Sequence, residues 1–492
     1  MQHVACSTQR YVDGMPKAER KAFGQFFTSG AAARFMASLF HIRADKETLF
    51  ILDAGAGSGI LSAAVVERLQ KEKHLRQIHL VCYETDDHVM PVLRNNLEFL
   101  SRSSVIPLDY DLREENYILS QQAEYNSYLG ANKVPQKFDL IIGNPPYKKV
   151  GKDAPEAVAM RDVCYGAPNL YTLFAAMGIF NLAAEAEMVY IIPRSWTSGA
   201  YFKAFRKKLL QECSLEHIHL FGSRNKVFDK ESVLQETMIL KVRKGTSATG
   251  RTTITTSESS RDFRCLTTYI SDARHIVRGV DQYVYLITNE DEEQAVQRVS
   301  SCTRTLKDIG LQMKTGLTVD YREKTDLRTN AEPGAIPLIF PHHIKDGKVI
   351  FPIGKENEYL HTKRAALKQK NVNYLFVKRF TAKEEPRRLQ CGVYLSRKHP
   401  NHDLISTQNK INFIGGLKEL SDCIVYGLYV IFNSTLYDTY YRIMNGSTQV
   451  NSTEVNSIPV PELSVIESMG KALLQTRDMS ENMCNEILAA YI

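Results

Sequence analysis

The 492-residue chain has nine cysteines but no Cys-x-x-Cys pair, no basic-then-apolar N-terminal pattern and no apolar run long enough to span a bilayer. The scattered thiols (Cys6, Cys82, Cys164, Cys213, Cys265, Cys302, Cys391, Cys423, Cys484) exclude a disulfide framework or zinc site read from spacing. They fit reduced, mostly buried thiols of a cytoplasmic protein. The missing leader and span imply a soluble, intracellular protein without a membrane partner. No metal-ligand spacing appears, so no metal is expected. Nor is the charge one-sided: 62 Lys and Arg against 55 Asp and Glu give +7. That balance is compatible with a polyanionic partner but is weak by itself, because a solvated basic surface explains it equally.

What is present is a rhythm. The apolar runs Leu49–Leu52, Ile78–Tyr83, Phe138–Ile142 and Met188–Ile192 are continuous, as buried parallel strands are. Between them, Ile60–Lys73, His88–Leu100 and Leu170–Ala184 carry apolar residues at helical spacing. This alternation predicts a doubly wound α/β sheet in residues 1–243. Residues 244–262, rich in Thr, Ser and Gly, read as a linker or exposed loop. Residues 263–492, with short β-like pieces, Pro/Gly turns and a helical end from about Val465, read as a second domain of mixed α+β type.

Asp53-Ala54-Gly55-Ala56-Gly57-Ser58-Gly59 joins a strand directly to a helix. Glycine lets a backbone approach a ligand closely, and cofactors bind at strand C-termini in open α/β sheets. The next strand ends at Glu84, where an acidic residue takes ribose hydroxyls. Gly-x-Gly-x-Gly lacks the longer spacing that accommodates a pyrophosphate, which favours S-adenosylmethionine over NAD. At the end of the third strand, Asp109, Asp111 and Asn116 compete to contact the cofactor's adenine.

Asn144-Pro145-Pro146-Tyr147 follows the strand-like Phe138–Gly143. An Asn oxygen and a stiffly held Pro145 carbonyl can accept both hydrogens of a planar amine, freeing its lone pair to attack a methyl group. Tyr147 offers a flat face for a base. An ordinary Asn-Pro turn is the bland alternative.

The order of motifs then becomes informative. Phe23-Gly-Gln-Phe26-Phe27-Thr28-Ser29 precedes the glycine loop. Asn169-Leu-Tyr171, Ile191-Ile-Pro-Arg194-Ser195-Trp196 and Asn225-Lys-Val-Phe228 follow Tyr147. Lys314–Arg322, Val377–Phe380 and Gly446–Asn451 complete the series. Together they resemble the gamma class of adenine-N6 DNA methyltransferases, of the BsuBI/PstI type found in type II restriction–modification systems, across nearly the whole chain. The resemblance implies a Rossmann-like S-adenosylmethionine-dependent catalytic domain and an α+β target-recognition domain. It also implies a monomer in the bacterial cytoplasm, acting on double-stranded DNA beside a cognate restriction endonuclease. A six-base palindrome such as CTGCAG is the site that such relatives suggest.

By resemblance, Phe26 and Thr28 line the methionine end of the cofactor. Asp53, Ala54, Gly55, Gly57 and Gly59 lie beneath it, and Glu84 binds the ribose. Asn144, Pro145, Pro146 and Tyr147 handle the target adenine, with Phe228 packing on its other face. The family usually has Asp-Phe where Asn116-Tyr117 stand; an Asn can donate and accept, so Asn116 is still expected at the cofactor's adenine. Such an enzyme flips its base out of the duplex.

In the C-terminal half, Lys378, Arg379, Lys383, Arg387 and Arg388 cluster beside Tyr374, Phe376 and Phe380, a candidate groove-facing surface. Thr448, Gln449 and Asn451 are further candidates; a solvated charged loop is the alternative. The rival functions are methylation of RNA or of a protein glutamine amide, and a catalytically weak DNA-binding specificity protein.

Overall fold

The computed structural model describes residues 1–14, 28–130, 137–222, 237–245, 250–259, 263–382, 385–445 and 449–492. They group into two compact units, Met1–Thr288 and Asn289–Ile492.

The first unit is built on β1 (Thr48–Ala54), β2 (Gln77–Tyr83), β3 (Leu108–Arg113), β4 (Phe138–Gly143) and β5 (Leu182–Pro193). To these it adds β6 (Cys213–Phe221), β7 (Thr237–Lys244), β8 (Arg251–Ser257) and β9 (Thr267–Asp272). All nine form one sheet in the order β3-β2-β1-β4-β5-β7-β6-β8-β9. The neighbours from β3 to β5 pair in parallel, and β7 runs antiparallel to both β5 and β6. The last four residues of β1, β2 and β4 are buried without a break, which is why those segments read as continuous apolar runs. Helices Ile60–Leu69 and Met90–Ser103 return the chain from β1 to β2 and from β2 to β3, so the C-terminal ends of these strands share one edge. The expected helix Leu170–Ala184 ends at Asn181, and Leu182 already begins β5.

The boundary between domains needs correction. The stretch 244–262, expected as a linker or loop, contributes β8, which pairs in parallel with β6 and antiparallel with β9. β-branched threonines make this a strand: Thr252 and Thr255 are buried beside Ile254. The first unit therefore extends to Thr288.

The second unit has a six-stranded sheet around Tyr374–Lys378, Cys391–Tyr394 and Ile411–Gly416, and a five-stranded sheet around Ile336–Ile339 and Leu404–Thr407. Its helices include Asp422–Phe432, Thr435–Met444, Leu463–Thr476 and Glu481–Ala489. This is the expected α+β mixture. Among the described residues no helix is long and apolar enough to cross a membrane. All nine cysteines are free, and only Cys6 and Cys265 are exposed.

Gly143 ends β4 opposite Tyr190 of β5. A Cβ there would lie 2.6 Å from Cε1 of the Tyr190 ring, so only glycine fits immediately before Asn144. Gly143→Ala is expected to destabilise the fold by about 1–3 kcal/mol through overpacking, read as a shift in the denaturant midpoint. An unchanged midpoint would show that the ring gives way freely.

Candidate active site

The shared strand edge opens into a cavity of about 360 Å³, within the range of small-molecule sites. Its floor is the glycine turn. Gly55, Gly57 and Gly59 have φ of +73°, +56° and +78°, values that side-chain-bearing residues rarely adopt. The N–H groups of Gly55 and Ala56 both donate to the Tyr83 carbonyl at 2.9 Å, pinning the turn to the end of β2.

Glu84 lies at the next position and is only 9% exposed. Its Oε2 accepts from Gly57 N–H at 2.7 Å, and its Oε1 accepts from Thr85 N–H at 2.7 Å and Asp86 N–H at 3.0 Å. Burial pushes its pKa up, and the three backbone donors oppose that shift. A carboxylate has about four acceptor positions, so three N–H partners leave one for a hydroxyl. The group is desolvated, ionisable and pre-oriented, which suits a ribose diol.

Asp53 sits beneath the turn, fully buried. Ser62 donates to its Oδ2 through both backbone N–H (3.1 Å) and hydroxyl (2.6 Å), while Oδ1 has no partner among the described residues. Burial raises its pKa to about 7, against the Ser62 hydrogen bonds. Asp53 does not line the cavity itself, and neither do Ala54 and Gly59. They shape it from below.

The opposite wall carries Thr28, Asn144, Pro145 and Pro146. Asn144 Nδ2 donates to Thr28 Oγ1 at 3.1 Å, which makes Oδ1 the acceptor end of the amide. Tyr147 does not line this cavity. It is 8% exposed, its hydroxyl donates to the Ile191 carbonyl at 2.9 Å, and its ring meets Tyr171 edge-on at 6.3 Å. Phe26 and Phe228 lie outside the described residues.

The three candidates at the third strand differ in position. Asp109 and Asp111 lie within β3, bonded to Gln77 and Arg113, whereas Asn116 lines the cavity. Sequence reasoning missed its other neighbours there: Tyr83, Tyr117, Phe174 and Glu156. The Tyr83 and Tyr117 rings meet at 5.0 Å and those of Tyr117 and Phe174 at 5.4 Å, forming an aromatic side to the cavity. The signal for the first two was their place at or shortly after a strand end. Nothing local marked Phe174 within its apolar helix.

In the second unit, burial corrects several expectations. Arg388 is 1% exposed; its guanidinium donates to Thr381 Oγ1 and Asn445 Oδ1 and lies over the Tyr441 ring. Arg387 donates to the carbonyls of Phe432 and Ser434 and pairs with Glu481 at 2.7 Å. Arg387 links the helix ends around Ser434 and Glu481, and Arg388 is held against the Thr435–Met444 helix, so both are engaged inside the unit instead of facing a groove. Tyr374 and Phe376 are core residues. Lys378 donates to Gln390 at 2.9 Å. Arg379 is half-buried, donating to the Asn409 carbonyl and to Gln449 Oε1, beside Phe380, which is 48% exposed. Asn451 Nδ2 donates to Glu454 Oε1. Lys383 and Thr448 lie outside the described residues.

One cluster, His342, His343 and Glu358, gathers possible metal-ligand atoms within 4.8 Å. His343 already accepts from Phe340 N–H at Nδ1 and donates to Glu358 from Nε2 (2.6 Å), so both ring nitrogens are committed to the fold.

Comparison with known proteins adds four findings. The model of the Eco57I restriction-modification methylase family matches residues 65–228. The type II methyltransferase M.PstI of Providencia stuartii is 33% identical over 463 residues, covering 92% of this chain and 89% of that one. M.BsuBI of Bacillus subtilis is 33% identical over 468 residues, covering 93% and 91%. Among solved structures, the type IIL restriction-modification enzyme MmeI in complex with DNA has a similar fold. Its TM-score is 0.53 at 13% identity, over 87% of this chain and 65% of that one.

The buried carboxyl of Asp53 generates a pH prediction. Its folded pKa lies above the unfolded value, so the folded state holds the proton more tightly and ionisation opposes folding. Relative to Asp53→Asn, the native chain should lose stability as pH rises from about 4 to about 7, with no further relative change above that. Parallel denaturant midpoints for the two proteins across this window would show that Asp53 is not desolvated.

Proposed function

The chain belongs to the type II restriction–modification methyltransferases, and on that premise we propose that it methylates the N6 amine of an adenine flipped out of double-stranded DNA. It is a DNA methyltransferase, and S-adenosylmethionine is its cofactor. The observation that supports adenine N6 is the amide of Asn144, bonded through Nδ2 to Thr28 and so presenting Oδ1 as an acceptor beside the Pro145 carbonyl.

The residues around the cavity fit the cofactor. Glu84 keeps one acceptor position for a ribose hydroxyl, and the glycine turn leaves room above Gly55 and Gly57. Thr28 stands at the junction with Asn144, and the Tyr117 and Phe174 rings offer a surface for an adenine. When bound, the cofactor supplies an electrophilic methyl group on a sulfonium. The chain's part is orientation. Asn144 Oδ1 and the Pro145 carbonyl accept the two amine hydrogens, so the nitrogen lone pair turns out of the ring and toward the methyl. With the amine so held, Asn144 and Pro145 would orient it toward the methyl group that the bound cofactor would supply, and the surplus amine proton would pass to solvent. The Tyr147 ring, tethered through its hydroxyl to Ile191, is the stacking element on one side of the base, and Phe228 is its counterpart. Flipping the base costs a few kcal/mol, which stacking offsets in part.

The second unit selects the site, with Lys378, Arg379, Gln449 and Asn451 as the DNA-contacting group. The enzyme acts as a monomer in the bacterial cytoplasm, beside an endonuclease that cuts the same site. RNA is the competing substrate.

The purified chain should transfer label from methyl-labelled S-adenosylmethionine to duplex DNA. Asn144→Ala should reduce this by at least about a hundredfold, by analogy with loss of one oriented polar group in a catalytic site. Equilibrium binding of the cofactor should stay nearly unchanged. Near-normal turnover by that variant would sink the assignment. Arg379→Ala should weaken DNA binding and lower the slope of log affinity against log salt by about one. Arg388→Ala should instead lower the unfolding temperature; an intact unfolding temperature with lost DNA binding would reverse these two roles.

A further inference from the structure

The strand order β3-β2-β1 places Asn116, after β3, one strand beyond Glu84, after β2. If Glu84 takes the ribose, the attached adenine extends toward Asn116. Adenine presents an amine donor at N6 and an acceptor at N1, so the wall that meets its N6 needs an acceptor.

Asn116 is not that acceptor. Its Oδ1 receives Ile118 N–H at 3.0 Å and Leu119 N–H at 3.1 Å, which uses both lone pairs of an amide oxygen. Two backbone donors converging on one atom also fix which end of the amide is oxygen. The Nδ2 end therefore points the other way, and it donates to Glu156 Oε1 at 3.0 Å.

Glu156 comes from a separate element, the first turn of the short helix Pro155–Ala159, and it lines the same cavity as Asn116. It is half-buried, and its second carboxylate oxygen has no other partner among the described residues. Asn116 thus holds one oxygen of Glu156 and leaves the other to accept.

We propose that Glu156, positioned by Asn116, accepts the N6 amine of the cofactor's adenine and so makes the site selective for adenosine over inosine. This rests on the reading of the cavity as the S-adenosylmethionine site. The hydrogen bond that an Asn at position 116 cannot accept is supplied from the 155–159 helix. Glu115 also lines the cavity but is exposed, so it is the nearest rival.

The test compares equilibrium binding of S-adenosyl-L-homocysteine and S-inosyl-L-homocysteine by calorimetry, using the full chain without DNA. The inosine compound carries an oxygen in place of the amine, so a carboxylate facing it loses a donor and meets an acceptor. The native chain should prefer the adenosine compound by about tenfold to a hundredfold, the range of a hydrogen bond to a charged group. Glu156→Ala should reduce that preference to within about twofold, chiefly by weakening the adenosine compound, and Glu156→Gln should restore part of it. Glu115→Ala should keep the native preference. A preference undiminished in Glu156→Ala, or lost instead in Glu115→Ala, would overturn the role of Glu156 while leaving the cavity assignment intact. If the native chain bound neither compound, the cavity assignment would fall and the role of Glu156 with it.

Discussion

Three backbone N–H groups converge on one buried carboxylate, Glu84, and the cofactor half of the site depends on that convergence. Gly57 comes from the turn after β1, while Thr85 and Asp86 follow β2. Their shared acceptor therefore stitches two strand ends into one rim. Removing it would leave three backbone donors without their acceptor, a cost that water offsets in part at the exposed Thr85. The same carboxylate lines the cavity and keeps one acceptor position open. Positive φ at Gly55, Gly57 and Gly59 is the backbone counterpart: the turn reaches Glu84 only in a conformation that glycine adopts without strain.

Two asparagines divide the remaining polar work, and their neighbours set them in opposite senses. Asn144 donates an amide hydrogen to Thr28, which makes Oδ1 the acceptor end of its amide. Asn116 spends its oxygen on Ile118 and Leu119, so its nitrogen is the donor toward Glu156. The same side chain thus serves opposite polarities at the two ends of one cavity. The local backbone determines which, because an amide whose oxygen is already occupied by two N–H groups has nothing left to accept with.

The parallel core and the glycine turn were legible because buried strands and tight turns write themselves locally, as continuous apolar runs and as glycines. Residues 251–257 were misread because threonine counts as polar in composition yet has a β-branched side chain that packs in a sheet; Thr252 and Thr255 are buried there. Arg387 and Arg388 were misread for a related reason. Charge is visible in a sequence, but the carbonyls, Asn445 and Glu481 that receive these guanidinium groups lie between about 45 and 95 positions away. Glu156 was invisible because its meaning comes from Asn116, forty positions earlier, and Glu156 itself belongs to no motif. Local chemistry was readable; partners brought together by the fold were not.

The central claim is the identity of the methylated atom. Genomic DNA from cells expressing the chain, digested to nucleosides and resolved by mass spectrometry, separates N6-methyladenine from N4-methylcytosine, the other planar amine that DNA offers. Long-read sequencing of the same DNA locates the modified positions. The account predicts N6-methyladenine at one recurring sequence, absent from cells carrying Asn144→Ala. Methylation found on cytosine, or on RNA with none in DNA, would contradict it.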